Sequence, residues 1–137
     1  LHGLVRERGL GHVHFTGYLD KPRLDRVVAG ARAAVLPSES PENAPFGVLE
    51  AALQGVPVIV SDMGGLPEMA EIARGVVFAH GDAAALAGAV DSVLSDPRAA
   101  RERARAGRDA VVAHHDRDRH LDALESLYDS AIAEVGR

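Results

Sequence analysis

Cysteine is absent from the 137 residues, which excludes disulfides and thiolate chemistry and leaves the redox compartment open. An excess of basic charge is absent too: 15 Lys and Arg stand against 20 Asp and Glu, a formal net charge of −5. That balance argues against a broad nucleic-acid surface, so no nucleic-acid partner is expected. No apolar run approaches the roughly 20 residues that a membrane-spanning helix needs. No secretory leader is legible, and the expected location is cytoplasmic. The chain opens on Leu1 rather than Met, in the middle of a helical pattern, which sets the expectation of a piece of a longer protein. What is present is apolar content, 47% of residues, enough for a real core and against wholesale disorder.

Periodicity organises that content. Leu1, Leu4, Val5 and Leu10 recur at helical spacing, with Gly9 and Gly11 closing the segment. HVHFTGY alternates, Val13 and Phe15 against His12 and His14, and reads as a strand ended by Gly17. Asp20 and Pro22 open a helix bearing Leu24, Val27 and Val28. AAVLP reads as a buried strand, SESPENAP as a loop, and residues 46–54 as a helix stopped by Gly55. PVIVS and GVVFA are further strands, with the short helix LPEMAEIA between them. Asp82 caps an amphipathic helix, and from Asp96-Pro97 onward the chain reads as helical. Four short apolar strands alternating with helices predict an α/β fold, a parallel sheet with flanking helices.

Such sheets bind ligands beyond the carboxyl ends of their strands. The loop 38–45 follows one strand and leads straight into a helix, whose first turn offers unpaired N–H groups and the positive end of a dipole. A diphosphate suits that tip. Glu50 lies roughly 6–9 Å along the helix axis, and Glu42 lies before its start. Carboxylates beside a diphosphate repel it unless they face neutral hydroxyl ends, which donate hydrogen bonds to them. A nucleoside diphosphate sugar has hydroxyls at both ends. On spacing alone, solvated surface charge is the commoner explanation for such a pair.

Further residues narrow the choice. Pro37-Ser38, the Glu42–Glu50 pair spaced E-x7-E, Leu49-Glu50-Ala51, Gly55-Val56-Pro57-Val58 and Gly64-Gly65-Leu66-Pro67-Glu68 occur in order. Together with the upstream VHFTGYLDKPRLDRVVAGARAAVLPS, they resemble the retaining GT-B glycosyltransferases of family 4, the glycosyl transferases group 1 type. The resemblance implies a Rossmann-like sheet forming most of the C-terminal, donor-binding half of a GT-B enzyme. Residues 1–115 would be a partial nucleotide-sugar-binding domain, with earlier strands preceding Leu1, and 116–137 the C-terminal helix closing it. An N-terminal acceptor domain and a phosphate-binding Arg/Lys pair would lie upstream, leaving this piece inactive alone. It further implies that Glu42 contacts the transferred sugar and Glu50 the ribose hydroxyls. The amides of Ala44, Phe46 and Gly47 would face the sugar and diphosphate, and Tyr18 would lie near the base. In many members Phe-Gly falls two positions earlier relative to the first glutamate, and a glycine stands where this chain has Pro45.

The expected reaction transfers a hexose from a nucleotide sugar to an acceptor with retention, through an oxocarbenium-like transition state. No cofactor or metal is implied. A non-catalytic nucleotide-sugar-binding module and a GT-B epimerase are the alternatives. The other candidates read as structure. His12 and His14 belong to a polar face, and His114, His115 and His120 to a solvated helix junction. Asp116-Arg117-Asp118 is the one Asp-x-Asp, in the charged tail. The Gly64-Gly65 turn is equally a phosphate cradle or a tight strand-to-helix connection. Arg98, Arg101, Arg103, Arg105 and Arg108 form a solvated basic face that admits peripheral contact with an anionic membrane surface.

Overall fold

A computed structural model describes residues 1–135. Three parallel strands, β1 (Ala34–Leu36), β2 (Val58–Ser61) and β3 (Val76–Phe78), form a sheet in the order β1-β2-β3. Helices α1 (His2–Glu7) and α2 (Lys21–Ala29) precede the sheet, and α3 (Phe46–Leu53) and α4 (Leu66–Ile72) make the crossovers. After β3 come α5 (Ala83–Ser95), α6 (Pro97–His114) and α7 (Arg117–Val135). The register pairs Val35 with Ile59 and Val60 with Val77.

The β-branched run Val58-Ile59-Val60 explains the centre. Successive strand residues face opposite sides, so β2 serves two cores. Val58 and Val60 pack with Val48, Ala51 and Ala52 of α3, Leu66 and Ala70 of α4, and Val111 of α6. Ile59 packs on the other side with Phe78, Ala89, Val93 and Ala100. All four β2 residues are buried. A strand covered on both faces is the physical basis for a continuous apolar run instead of alternation.

Aspartates start four of the helices. Asp20 accepts from the Arg23 N–H at 3.0 Å, Asp82 from Ala84 and Ala85 at 2.9 Å, Asp96 from Ala99 at 3.0 Å, and Asp116 from Arg119 at 2.9 Å. The Asp116-Arg117-Asp118 run therefore begins α7, with Asp116 as its cap. Gly55, at φ +71°, ends the turn after α3 and lets the Val56 N–H return to the Ala51 carbonyl.

Two expectations need correction. HVHFTGY forms no strand, and among the described residues the sheet has three strands instead of four. A strand needs a neighbour for its N–H and C=O groups, and among the described residues none pairs with 12–18. Val13 and Phe15 are exposed there. β1 forms where AAVLP predicts it, yet it is only half-buried: Val35 is 39% exposed, because β1 is an edge of the described sheet. On α7, Leu127, Tyr128 and Ile132 are exposed, and neither core includes a described α7 residue.

Glycine substitutions test this packing. A Cβ on Gly107 of α6 would strike the backbone carbonyl of Ala73, whereas one on Gly88 of α5 meets open space. Gly107→Ala is expected to lose about 1–2 kcal/mol, as overpacking outweighs helix propensity. Gly88→Ala is expected to gain about 0.5–1 kcal/mol. Urea unfolding of both variants checks the opposite signs.

Candidate functional site

The loop from Pro37 to Pro45 leaves the carboxyl end of β1 and carries Glu42. Its path is fixed from β2. The buried Ser61 hydroxyl donates to the Ser38 carbonyl at 2.7 Å. The Ser38 hydroxyl lies 3.2 Å from Glu42 Oε1, 3.0 Å from the Ser40 carbonyl and 3.5 Å from the Ser40 hydroxyl, so its one proton has more than one acceptor in reach. The Gly65 N–H donates to the Glu42 carbonyl at 2.5 Å. Gly64-Gly65 is therefore a tight connection packed against the Glu42 loop.

Pro45 is buried and stands at the N-cap of α3 with no side-chain cap, unlike the four helices that aspartates open. The Val48 N–H returns to the Pro45 carbonyl at 3.0 Å. Phe46 and Gly47 begin the helix, where N–H groups have no intrahelical acceptor. Ala44, Phe46 and Gly47 are all exposed, Phe46 by 72%. A Cβ on Gly47 would come 3.2 Å from Leu36 Cδ2, so the bare residue lets the tip of α3 sit close on β1.

Glu50 lies four residues on, about 6 Å further along the axis. Val48, Ala51 and Ala52 face the core, which leaves Glu50 on the outer side. There it meets Lys21 at the start of α2, Nζ to Oε1 3.7 Å. Lys21 also contacts Asp25, and the Gln54 amide donates to Asp25 at 3.2 Å. These four, with Leu53, line an open cleft of about 470 Å³. Tyr18, three residues before Lys21, is 96% exposed. The structure thus gathers Glu42, Ala44, Phe46, Gly47 and Glu50 on one loop-and-helix unit. The segment after Gly17 reaches that unit through Lys21.

Lys21, Asp25 and Gln54 escaped the sequence reading. One signal was available: Lys21 is the single lysine of a chain whose other basic side chains are arginine or histidine. Contact with Asp25 first, then with Glu50, holds the Lys21 pKa above its ordinary value of 10.5.

At the ends of β2 and β3, the His80 N–H and ring Nδ1 both lie 2.8 Å from Asp62 Oδ1. The two hydrogen bonds, the backbone one foremost, hold the Asp62 carboxyl below its ordinary value. Arg98 pairs with Glu102 at 3.0 Å, as on a solvated helix face. Among the described residues, no group of three or more His, Asp or Glu side chains is placed to hold a metal ion, and no helix is long and apolar enough to cross a membrane.

A parallel α/β sheet with a loop and an uncapped helix at the carboxyl end of its first strand is the class of fold that binds ligands beyond its strand ends. The chain belongs to the glycosyl transferases group 1 family, whose model matches residues 1–110. It is 41% identical over 126 residues to glycogen synthase of Mycobacterium tuberculosis (strain CDC 1551 / Oshkosh), covering 90% of this chain and 30% of that protein. Its fold matches sucrose-phosphate synthase from Thermosynechococcus elongatus with a TM-score of 0.83 and 33% identity, covering 97% of this chain and 34% of that one. Anabaena Alr3699/HepE, in complex with UDP and glucose, matches with a TM-score of 0.80 and 22% identity over 91% of this chain and 35% of that one. The chain therefore spans about a third of the length of these relatives.

The Lys21 cluster yields a pH prediction. A raised folded pKa means stabilisation present below the ordinary 10.5 and lost as pH climbs through the folded value. Lysine-selective ¹³C labelling should give one Nζ-linked signal with a midpoint above 10.5. Asp25→Asn should lower that midpoint more than Glu50→Gln does.

Proposed function

We propose that the chain is the donor-binding part of a retaining glycosyltransferase of family 4, acting on a nucleoside diphosphate sugar. The observation that carries this reading is the continuous unit of Glu42, an uncapped α3 tip and Glu50 at the carboxyl edge of a parallel sheet. Family membership supports it. So, at the level of fold, does the likeness to a protein that holds UDP and glucose.

Each part has a chemical role. The N–H groups of Phe46 and Gly47, with the α3 dipole, meet the diphosphate and the charge that grows on it as the glycosidic bond breaks. Glu50 accepts hydrogen bonds from the ribose hydroxyls. Lys21, already beside Glu50, offsets the repulsion between that carboxylate and the phosphates. Glu42 accepts from hexose hydroxyls and sets a negative field beside the oxocarbenium-like ring; no nucleophilic role is assigned to it. The amide of Ala44 faces the sugar, and Tyr18 lies toward the base. An acceptor domain outside these residues completes the enzyme, and the diphosphate charge is met without a metal.

Calorimetric titration with UDP-, GDP- and ADP-glucose tests these roles. At least one should bind the wild-type chain. Glu50→Ala should weaken that nucleotide sugar and its bare nucleoside diphosphate alike, by about 10–100-fold for lost charge-assisted hydrogen bonds. Glu42→Ala should weaken only the sugar-bearing ligand. Unchanged affinities in Glu50→Ala would remove the ribose assignment, and an unchanged preference for the nucleotide sugar in Glu42→Ala would remove the hexose one.

A further inference from the structure

The Glu42 loop is held from three directions by residues that need never touch a ligand. Ser61 is fully buried at the end of β2, and its hydroxyl is committed to the Ser38 carbonyl at 2.7 Å. Replacing it with alanine would leave that carbonyl without its partner. One residue-link further, the Ser38 hydroxyl stands 3.2 Å from the Glu42 carboxylate. The Ser40 carbonyl, at 3.0 Å, shares the same proton.

The third hold is steric. Gly64 has φ +55°, and a Cβ there would lie 2.5 Å from both the N and the O of Glu42. A Cβ on Gly65 would strike the Asn43 carbonyl oxygen. The Gly65 N–H meanwhile donates to the Glu42 carbonyl. Any side chain at either glycine would push the loop off β2. The glycines therefore serve a backbone-on-backbone contact with residues 41–43 of the loop.

We propose that Ser61, Ser38 and the Gly64-Gly65 turn are positioning residues that preset the Glu42 carboxylate for the donor sugar before ligand arrives. This rests on the reading of Glu42 as the sugar-contacting carboxylate. Preorganisation of this kind lowers the ordering cost at binding and holds a charge where the reacting ring needs it. The predicted loss on disrupting the clamp is therefore selective. Affinity for the bare nucleoside diphosphate stays, while the extra affinity contributed by the hexose falls.

The test uses Ser61→Ala, Ser38→Ala and Ser38→Thr in the full chain, checked by circular dichroism. Ser38, on a partly exposed loop, keeps the test available if Ser61→Ala fails to fold. The first readout needs no ligand: NMR exchange of the Gly65 amide, whose acceptor is the Glu42 carbonyl. Both alanine variants should speed that exchange about tenfold, the equivalent of one lost hydrogen bond, and Ser38→Thr should behave as wild type. The second readout is the affinity ratio between UDP-, GDP- or ADP-glucose and the matching nucleoside diphosphate. It should fall about three- to tenfold in the alanine variants and be restored by Ser38→Thr. Unchanged exchange in both alanine variants overturns the clamp. Faster exchange with an unchanged ratio overturns its role at the sugar. If the wild-type chain itself shows no preference for any nucleotide sugar, the reading of Glu42 falls, and exchange still decides whether the loop is clamped.

Discussion

Burial of β2 on both faces is the constraint on which the rest depends. Its valines at 58 and 60 hold α3, α4 and the end of α6 on one side, and Ile59 holds β3, α5 and the start of α6 on the other. A strand in that position has no freedom to slip: a one-residue shift would exchange the two faces and move Ser61 out of register with Phe78. The carboxyl end of β2 is therefore a fixed point, and both neighbouring loops are tied to it. Ser61 fastens the β1 loop at Ser38, and Asp62 fastens the β3 loop at His80.

The site inherits its geometry from that fixed point. Glu42 is located by contacts with the end of β2 and with the turn that follows it, whereas Glu50 is located by the face of α3 that the core leaves outward. Between them the helix opens on Pro45, which supplies no side-chain acceptor for the first N–H groups. At α2, α5, α6 and α7 an aspartate performs that service, and its carboxylate would oppose an incoming anion. Lys21 adds a positive charge on the Glu50 side, drawn from α2 across a cleft, so that the two carboxylates are not electrostatically alike. The Glu42 carboxylate has the Ser38 hydroxyl beside it, whereas Glu50 faces an ammonium group.

Much of this was legible in the sequence because the cues are local. Proline at 37 and 57, glycine at 55 and the β-branched run at 58–60 delimit β1, α3 and β2 without reference to anything distant. The aspartate caps at 20 and 82 are equally local. The parts that escaped depend on partners far along the chain. HVHFTGY alternates as a strand should, yet alternation supplies no neighbour, and none pairs with it among the described residues. Lys21 and Glu50 are 29 positions apart, and no periodicity links them. Gly64-Gly65 announces a tight turn, but its purpose is visible only once the 41–43 backbone lies against it. The two glutamates stood out because a family pattern surrounds them, and their spacing alone would have left them as surface charges.

Membership of the glycosyl transferases group 1 family sets the chemistry to look for, and the carboxyl edge of the sheet is where we propose that it occurs. Mapping ligand contact by ¹H–¹⁵N NMR asks directly whether that edge is where the donor lies. With the best-binding nucleoside diphosphate glucose, the largest shifts are expected at the amides of Ala44, Phe46 and Gly47. A smaller set is expected at Tyr18, Lys21 and Glu50. Shifts confined to the opposite, amino end of the sheet, around residues 29–32 and 54–57, with 44–47 unmoved, would contradict the claim that Glu42, the α3 tip and Glu50 act as one ligand-spanning unit.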